Sequence, residues 1–519
     1  MTSSSQKYFP EILPFSRLRA LVLSLSALCN LAIAAFAGVG LRGTDQYWYA
    51  TNLIMAKEGS GFRSNSLFPS AYFPAINDQG FLLPPFVHNI PVSYLAAAVN
   101  QVVADPYMSW LALNTALCFG TALILYSLAL RLWTANWATF VASVTLIFPH
   151  SVWFGLNALS EQFIIFLISL LVWSILRAVG GEGRYVWLAS LCIYVLALSR
   201  DNHILLFFVF AIYLIILRKW NRLSNFELSA PFILLSMAYI LTRFSIPSYP
   251  SGGVLGAISS GTETISNRFP IMSSYYDPSF VAPISEIAMK VSNNIVLALL
   301  PASSLELLLE TLPILLLLIG VSMAPRTKIW FTINFWSISF FAVYLATSVV
   351  FQAQSRYAVI FVSVSIIYGA LIVRILTRNL RRGTKTVIAA VVFLGLVIPS
   401  VAMALYYRTS AALDAYDLQE IAGRFSDMQN SNTLLVDLDV RVTQKIGFAI
   451  APSAVIIVDS GSLGQCLTPD FLNHYRISSI IGPPNMTWAS ASELLCAPSG
   501  QPWQPSELVI EGDGYQLFR

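Results

Sequence analysis

Long apolar runs that recur between residues 18 and 407 constrain the fold of this chain more than any other feature. A helix needs about 20 apolar residues to cross the hydrocarbon core of a bilayer. About eleven such runs are present, although the fifth is short for a full crossing. They lie near 18–41, 107–130, 135–155, 160–177, 185–199, 203–218, 229–246, 303–323, 329–350, 357–375 and 386–407. The sequence therefore predicts an all-α polytopic membrane bundle of about eleven spans.

Charge and composition exclude several other classes of protein. Only 11% of the 519 residues are charged, against roughly 25% in soluble globular proteins. The net charge of +4 is small and dispersed, so nucleic acid is not a predicted partner. The four histidines and five cysteines form no metal-ligand spacing, and no cofactor is firmly predicted. The first apolar run is too long for a signal-peptide core and is interpreted as a retained first span.

The basic residues of the short loops predict the orientation, because cytoplasmic loops are enriched in Lys and Arg. If the eleven runs alternate in direction, all of these residues fall on one side, which we assign to the cytoplasm together with the N-terminus. They are Lys7, Arg17, Arg19, Arg131, Arg177, Arg184, Arg218, Lys219, Arg222, Arg326, Lys328, Arg374, Arg378, Arg381, Arg382 and Lys385. The expected location is the inner (plasma) membrane of the cell.

Three segments are then predicted on the extracytoplasmic side: 42–105, 247–294 and 408–519. The first two belong to a transmembrane module, 1–407, and the loop 247–294 is long enough to act as a lid. In the tail, short β-type runs alternate with turn-rich or helix-like stretches, which predicts a small soluble α/β domain over 408–519. Cys466 and Cys496 both lie in this tail, on the oxidising side, so a disulfide is predicted. Two free buried thiols are the alternative.

The loop after the first span carries the strongest local signal. Thr44 or Asp45 can cap a helix that Gly59 ends, and on it Asp45, Tyr49 and Asn52 share one face. Asp45 has two interpretations: a helix cap, or a general base placed where a lipid headgroup would lie. A second helix-like stretch, Phe81 to Asn100, completes the loop and is predicted to lie in the membrane interface.

Five short segments, in order along the chain and predicted on one side of the membrane, resemble the GT-C superfamily of membrane glycosyltransferases. The similarity is to arabinofuranosyl-, mannosyl- and aminoarabinose-transferase types. The segments are Gly43-x-Asp45, Leu83-Pro84-Pro85, Leu159-Ser160-Glu161, Ser199-Arg200-Asp201-Asn202 and Ser355-Arg356-Tyr357. The chain departs from the family pattern where Gln46 follows Asp45 and where Gln162 follows Glu161. The sugar is therefore left unassigned.

The resemblance implies an inverting transfer of a sugar from a polyprenyl-phosphate donor, with Asp45 as the general base. The acceptor could be a glycan, a lipid or a protein, and membrane lipids surround the bundle. Some members of the superfamily use a divalent metal.

Arginine suits the departing phosphate, because its planar fork binds two oxygens. We assign Arg356 with Tyr357, and also Arg200, to the donor phosphate. For Arg200 an internal pair with Asp201 or Glu161 is the alternative, and for Arg356 it is snorkelling to the interface.

The remaining polar candidates also have two interpretations. Glu161 and Asp201 either orient the acceptor or hold the arginines. His88 binds substrate or caps a helix, while Tyr49 and Asn52 are assigned to substrate through the face they share with Asp45. A lipid transporter or flippase, an envelope polysaccharide polymerase or ligase, and a non-enzymatic scaffold are the competing functions.

Overall fold

The structure of the chain is a computed structural model. It describes residues 17–38, 40–41, 44–58, 66–68, 81–82, 90–220, 224–245, 288–289, 292–293, 296, 311–351, 355–425, 432–436, 445–449, 451, 455–458, 477–482, 508–512 and 515–518. Its first helices are α1 (Arg17–Ala37), α2 (Thr44–Lys57), α3 (Ile90–Val103), α4 (Pro106–Leu132), α5 (Ala135–Ile147), α6 (Pro149–Leu156) and α7 (Glu161–Val179). They are followed by α8 (Arg184–Ser199), α9 (Leu205–Trp220), α10 (Asn225–Ser245), α11 (Leu312–Met323), α12 (Lys328–Phe351), α13 (Val359–Leu376) and α14 (Arg382–Phe425). Short 3-10 helices at Asp201–Ile204 and Ser355–Ala358 precede α9 and α13.

The helices bury polar residues and expose apolar ones, as expected when the surrounding solvent is lipid. In α1, Ser26 and Asn30 are buried, and the Asn30 side-chain amide donates to the carbonyl of Leu146 at 2.6 Å. On its outer face, Leu18 and Leu28 are more than half exposed. Hydrocarbon offers no hydrogen bonds, so polar groups find their partners inside the bundle.

Each of the eleven predicted runs overlaps at least one helix. Within the described ranges, seven helices are long and apolar enough to cross a membrane, and α5 with α6, bent by 41°, makes an eighth candidate. Three shorter apolar helices lie within α8, α10 and α11. The protein is thus a multi-pass membrane bundle, while the count of eleven crossings stays a prediction.

Basic loop residues meet at one end of the bundle, here called the basic end. Arg131, Arg177 and Arg184 all approach the carboxylate of Glu182, at 3.2, 2.9 and 3.6 Å. Further contacts extend this end: Arg19 with Asn136, Arg374 with the Trp133 ring, Lys328 with the Trp220 ring, and Trp133 with Trp330. The sequence had assigned all of these basic residues to one face.

A seven-stranded mixed sheet joins the first loop to the tail. Its strands are β1 (Ser66–Phe68), β2 (Phe81–Leu82), β3 (Asn432–Val436), β4 (Val455–Val458), β5 (Ile477–Gly482), β6 (Leu508–Gly512) and β7 (Tyr515–Phe518), in the order β2-β1-β4-β3-β5-β7-β6. The loop strand β1 runs parallel to the tail strand β4. Two strands of the first loop thereby extend the sheet of the tail.

Two boundaries differ from the simplest interpretation of the sequence. Phe81–Leu82, expected to open a helix, is a strand paired with β1. The prolines at 84 and 85 favour extended backbone before them, so the helix begins only at Ile90. The predicted division between 407 and 408 falls within α14, whose 44 residues span about 66 Å. A helix of that length reaches well beyond a hydrocarbon core of about 30 Å.

Candidate active site at the end opposite the basic loops

The centre of the candidate site is an ion pair between Arg200 and Glu161. Glu161 is the first residue of α7 and is 1% exposed; Arg200 is the residue that ends α8 and is 12% exposed. The Arg200 guanidinium donates to Oε1 of Glu161. The other carboxylate oxygen, Oε2, has no hydrogen-bond partner among the residues that the structure describes. Both helices run from here to the basic end, so the pair lies at the opposite end of the bundle.

The 3-10 helix before α13 reaches the same place. The Arg200 guanidinium lies over the Tyr357 ring, 5.6 Å from its centroid, a favourable cation–π arrangement. Next to Arg200 in the chain, the Asn202 side chain donates to the Thr347 hydroxyl of α12 at 2.9 Å. Three of the five segments that resemble the GT-C pattern therefore meet here. They are the segments that contain Arg200, Tyr357 and Glu161.

The first turn of α2 is attached to this end through Gln46. Its Nε2 donates to Oδ1 of Asn157 at 2.5 Å, and its Oε1 lies 3.1 Å from the Tyr407 hydroxyl of α14. Asn157 begins the short turn that leads to Glu161. All three side chains are buried. This network joins the loop helix to the bundle.

Tyr49 and Asn52, two residues of the predicted face, point inward. Tyr49 packs edge-on against Trp110 of α4, with ring centroids 5.4 Å apart. Asn52 is 2% exposed, and its Oδ1 has no hydrogen-bond partner among the described residues. The substrate role assigned to Asn52 stays a prediction.

The tail also contacts α2. Tyr47, the neighbour of Gln46, stacks edge-on against Phe448 of the short helix 445–449 at 5.6 Å. Gly40, just before α2, is packed so closely on α14 that a Cβ would lie 3.3 Å from Cβ of Ala411. The start of α2 is therefore enclosed by both the bundle and the tail.

The structure does not describe several of the residues that the sequence predicts for the site, the lid or the disulfide. His88, Cys466, Cys496 and most of the loop 247–294 lie outside the described residues, as do the side chains of Asp45, Asp201 and Arg356. The backbone of Asp45 lies in the first turn of α2, beside Gln46. The disulfide and the roles assigned to these residues stay predictions.

Sequence reasoning missed the amides that build the site. Gln46 and Gln162 were noted only as departures from a family pattern, and Asn157 and Tyr407 were not singled out. A signal was nevertheless present, since polar residues inside or beside apolar runs are costly in a membrane and are expected to be paired or functional.

No group of three or more described His, Cys, Asp or Glu side chains is arranged to hold a metal ion. The described donors, one carboxylate already paired with an arginine and several amides, do not fit a divalent-metal site. No step below is therefore assigned to a metal.

Comparison with solved structures defines the fold. The oligosaccharyltransferase of Archaeoglobus fulgidus in its apo form superposes with a TM-score of 0.58 at 12% identity, covering 92% of this chain and 71% of that chain. ArnT from Cupriavidus metallidurans, bound to undecaprenyl phosphate, gives 0.53 at 12% identity and covers 96% and 97%. Both are GT-C membrane glycosyltransferases. This chain has the GT-C fold.

A third structure, the Archaeoglobus oligosaccharyltransferase in complex with an inhibitory peptide and a dolichol-phosphate, gives a TM-score of 0.57 at 11% identity. It covers 92% of this chain and 71% of that chain. No protein-family model matches the sequence, and no curated protein sequence matches it. The similarity therefore lies in the three-dimensional fold, because the sequence identity to these structures is only 11–12%.

Proposed function

We propose that the protein is an inverting glycosyltransferase that moves a sugar from a polyprenyl-phosphate donor to an acceptor hydroxyl on the extracytoplasmic side of the membrane. The observation that carries this proposal is the meeting of Arg200, Glu161 and Tyr357 at the end of the bundle that also holds the first turn of α2. That turn contains Asp45. The basic loops lie at the opposite end, and by the positive-inside rule this supports an extracytoplasmic site.

In the proposed reaction, the acceptor oxygen attacks the anomeric carbon while the Asp45 carboxylate takes the hydroxyl proton. The bond between that carbon and the phosphate oxygen breaks, and its electron pair leaves with the polyprenyl phosphate. Attack from the opposite face inverts the anomeric centre. A general base of this kind contributes about 10²–10⁴-fold to the rate.

The departing phosphate needs positive charge. Arg200 supplies one guanidinium, which is hydrogen-bonded to Glu161 and lies over the Tyr357 ring. We assign Arg356 to the same phosphate through its position beside Tyr357. Fixed charges in a site shielded from water stabilise a developing anion more strongly than charges in water do.

The relatives of known structure support a lipid-linked donor. One is bound to undecaprenyl phosphate and another is in complex with a dolichol-phosphate and a peptide. Both ligands are phosphates on a polyprenyl-type chain, which enters a site at a membrane boundary from the lipid side. We propose a donor of this class for the present chain, with a glycan, lipid or protein acceptor. The same proposal includes eleven crossings, a cytoplasmic N-terminus and an extracytoplasmic α/β tail.

The deciding experiment measures sugar transfer by purified protein in lipid nanodiscs, supplied with a panel of polyprenyl-phosphate sugars. We expect Asp45→Asn to lose at least 100-fold in kcat, the scale of general-base catalysis. Asp105→Asn is the matched control, because Asp105 only caps α4 through the backbone N–H of Met108 at 2.6 Å, and asparagine caps equally well.

Two results would contradict the proposal. One is full transfer by Asp45→Asn under conditions where the wild type is active. The other is donor-independent movement of substrate across liposome membranes with no glycosidic product, which would favour the transporter.

A further inference from the structure

The amide of Gln46 is held at both ends inside the protein, next to the residue proposed as the base. We propose that Gln46 is a positioning residue, which fixes the first turn of α2 so that the Asp45 carboxylate meets the acceptor in the correct geometry. This inference rests on the proposed function, and it assigns a role to a residue at which the chain departs from the family pattern.

The contacts of Gln46 reach two different helices. Nε2 donates to Oδ1 of Asn157, directly after α6, and Oε1 lies beside the Tyr407 hydroxyl of α14. The same hydroxyl is 2.8 Å from the carbonyl oxygen of Gly40, in the segment that leads into α2. Tyr407 thus holds the chain both before and within the first turn.

Asn157 is itself fixed, so it can serve as an anchor. Its Nδ2 donates to the carbonyl of Trp153 at 2.5 Å, and its own carbonyl accepts from Nδ2 of Asn114 at 2.7 Å. Asn114 and Asn157 are buried. Side chains from α4, from the end of α6 and from α14 therefore immobilise one glutamine of the loop helix.

The network also connects the two halves of the proposed reaction. Asn157 is four residues before Glu161, and the intervening turn is closed by the bond from the Leu159 amide to the Asn157 carbonyl at 2.8 Å. The anchor of the base-bearing helix and the partner of Arg200 thus belong to one short segment. Asn157 therefore links the first turn of α2 to the segment that leads into α7.

Precise placement has a large kinetic effect. A misplacement of about 1 Å can cost 10²-fold in rate. Replacing Gln46 by an apolar isostere removes one partner each from Asn157 Oδ1 and from the Tyr407 hydroxyl, which costs about 1–3 kcal/mol of stability whichever role Gln46 has. A positioning role therefore predicts a loss of kcat per folded molecule in addition to this loss of stability. A purely structural role predicts the loss of stability alone.

The test compares Gln46→Met, Tyr407→Phe and the double variant in the transfer assay. Tyr213→Phe is the matched control, since its hydroxyl makes a buried 2.7 Å bond to Thr332, away from α2. We expect Gln46→Met to lower kcat per folded molecule about 10- to 100-fold, with the donor KM close to wild type and a thermal midpoint lowered no more than in Tyr213→Phe. The losses of kcat in the double variant should be less than additive, because the two side chains share one hydrogen bond and each also has a further partner.

Hydrogen exchange on the same variants reports positioning without relying on activity. We expect faster exchange of the α2 amides in Gln46→Met and Tyr407→Phe, and wild-type exchange in Tyr213→Phe. A lowered thermal midpoint with wild-type kcat per folded molecule would overturn the inference, and so would unchanged exchange in α2. If Asp45→Asn is inactive while Gln46→Met retains wild-type kcat, only this inference fails; if Asp45→Asn is fully active, the proposed function fails.

Discussion

Arg200 donates to Glu161 across 39 positions of sequence, and this bond ties the end of α8 to the start of α7. Neither charge is well solvated, since the carboxylate is almost fully buried. Removing one partner of such a pair leaves a buried unpaired charge. Among the described residues, Oε2 of Glu161 and Nε of Arg200 have no hydrogen-bond partners. Of these two atoms only Nε can donate to a phosphate oxygen, since a carboxylate oxygen is an acceptor.

Arg200→Lys separates a substrate role from a structural one. Lysine keeps the charge but loses the planar fork and most of the stacking on Tyr357. We expect the donor KM to rise about tenfold, which corresponds to about 1.4 kcal/mol, with a smaller effect on kcat. Arg177→Lys is the control, because Arg177 also contacts a carboxylate and a tyrosine ring, but at the basic end. It pairs with Glu182 and lies 4.9 Å from the Tyr185 ring centroid. Equal donor KM values for the two variants would contradict the assignment.

Gln162 is fully buried in the first turn of α7, and neither end of its amide has a hydrogen-bond partner within the described part of the chain. Such a group costs about 1–3 kcal/mol, so we expect Gln162→Leu to raise the thermal midpoint and to weaken donor binding. Ser190→Ala serves as the control, since the Ser190 hydroxyl, in the middle of α8, is also buried and has no partner among the residues described. It should stabilise the protein without changing donor affinity. Unchanged donor binding in Gln162→Leu would show that the amide has no ligand.

The bundle could be predicted because its signal is local. Apolar runs and basic loops are each visible within about 20 residues, and every predicted run overlaps a helix. The structure pairs Arg200 with Glu161, one of the two internal partners that the sequence left open beside the donor phosphate. The phosphate assignment of Arg200 stays a prediction.

The contacts that complete the site could not be predicted from local sequence patterns, because they join residues that are far apart in the sequence. Gln46 and Asn157 are 111 positions apart, and no periodicity connects them. The strands Ser66–Phe68 and Phe81–Leu82 are too short to show alternation, so neither their pairing with each other nor that of Ser66–Phe68 with the tail could be read from the sequence. Long-range packing, rather than local propensity, decides both features.

Gly320 allows α11 and α13 to approach closely. A Cβ at this position would lie 2.3 Å from Cβ and Cγ of Tyr368, and small residues at helix contacts are typical of membrane bundles. We expect Gly320→Ala to destabilise the protein by about 1–3 kcal/mol through overpacking. Gly395→Ala is the control, because a Cβ there has nothing within 4 Å and alanine favours helix by about 1 kcal/mol. Thermal unfolding in detergent should show opposite shifts; shifts of the same sign would refute the packing argument.

Phe448 connects the tail to the helix that carries Asp45. Its ring meets Tyr47 edge-on at 5.6 Å, a contact worth about 0.5–1.5 kcal/mol beyond the area it buries. We expect Phe448→Ala to increase the population in which the tail is undocked by roughly fivefold, the equivalent of about 1 kcal/mol. Limited proteolysis of the tail should quicken accordingly, and kcat should fall because α2 loses support on one side. Phe226→Ala removes an equally large ring that is 75% exposed on α10, and it should leave both measurements unchanged. If Phe448→Ala matched that control, the tail would have no part in holding α2.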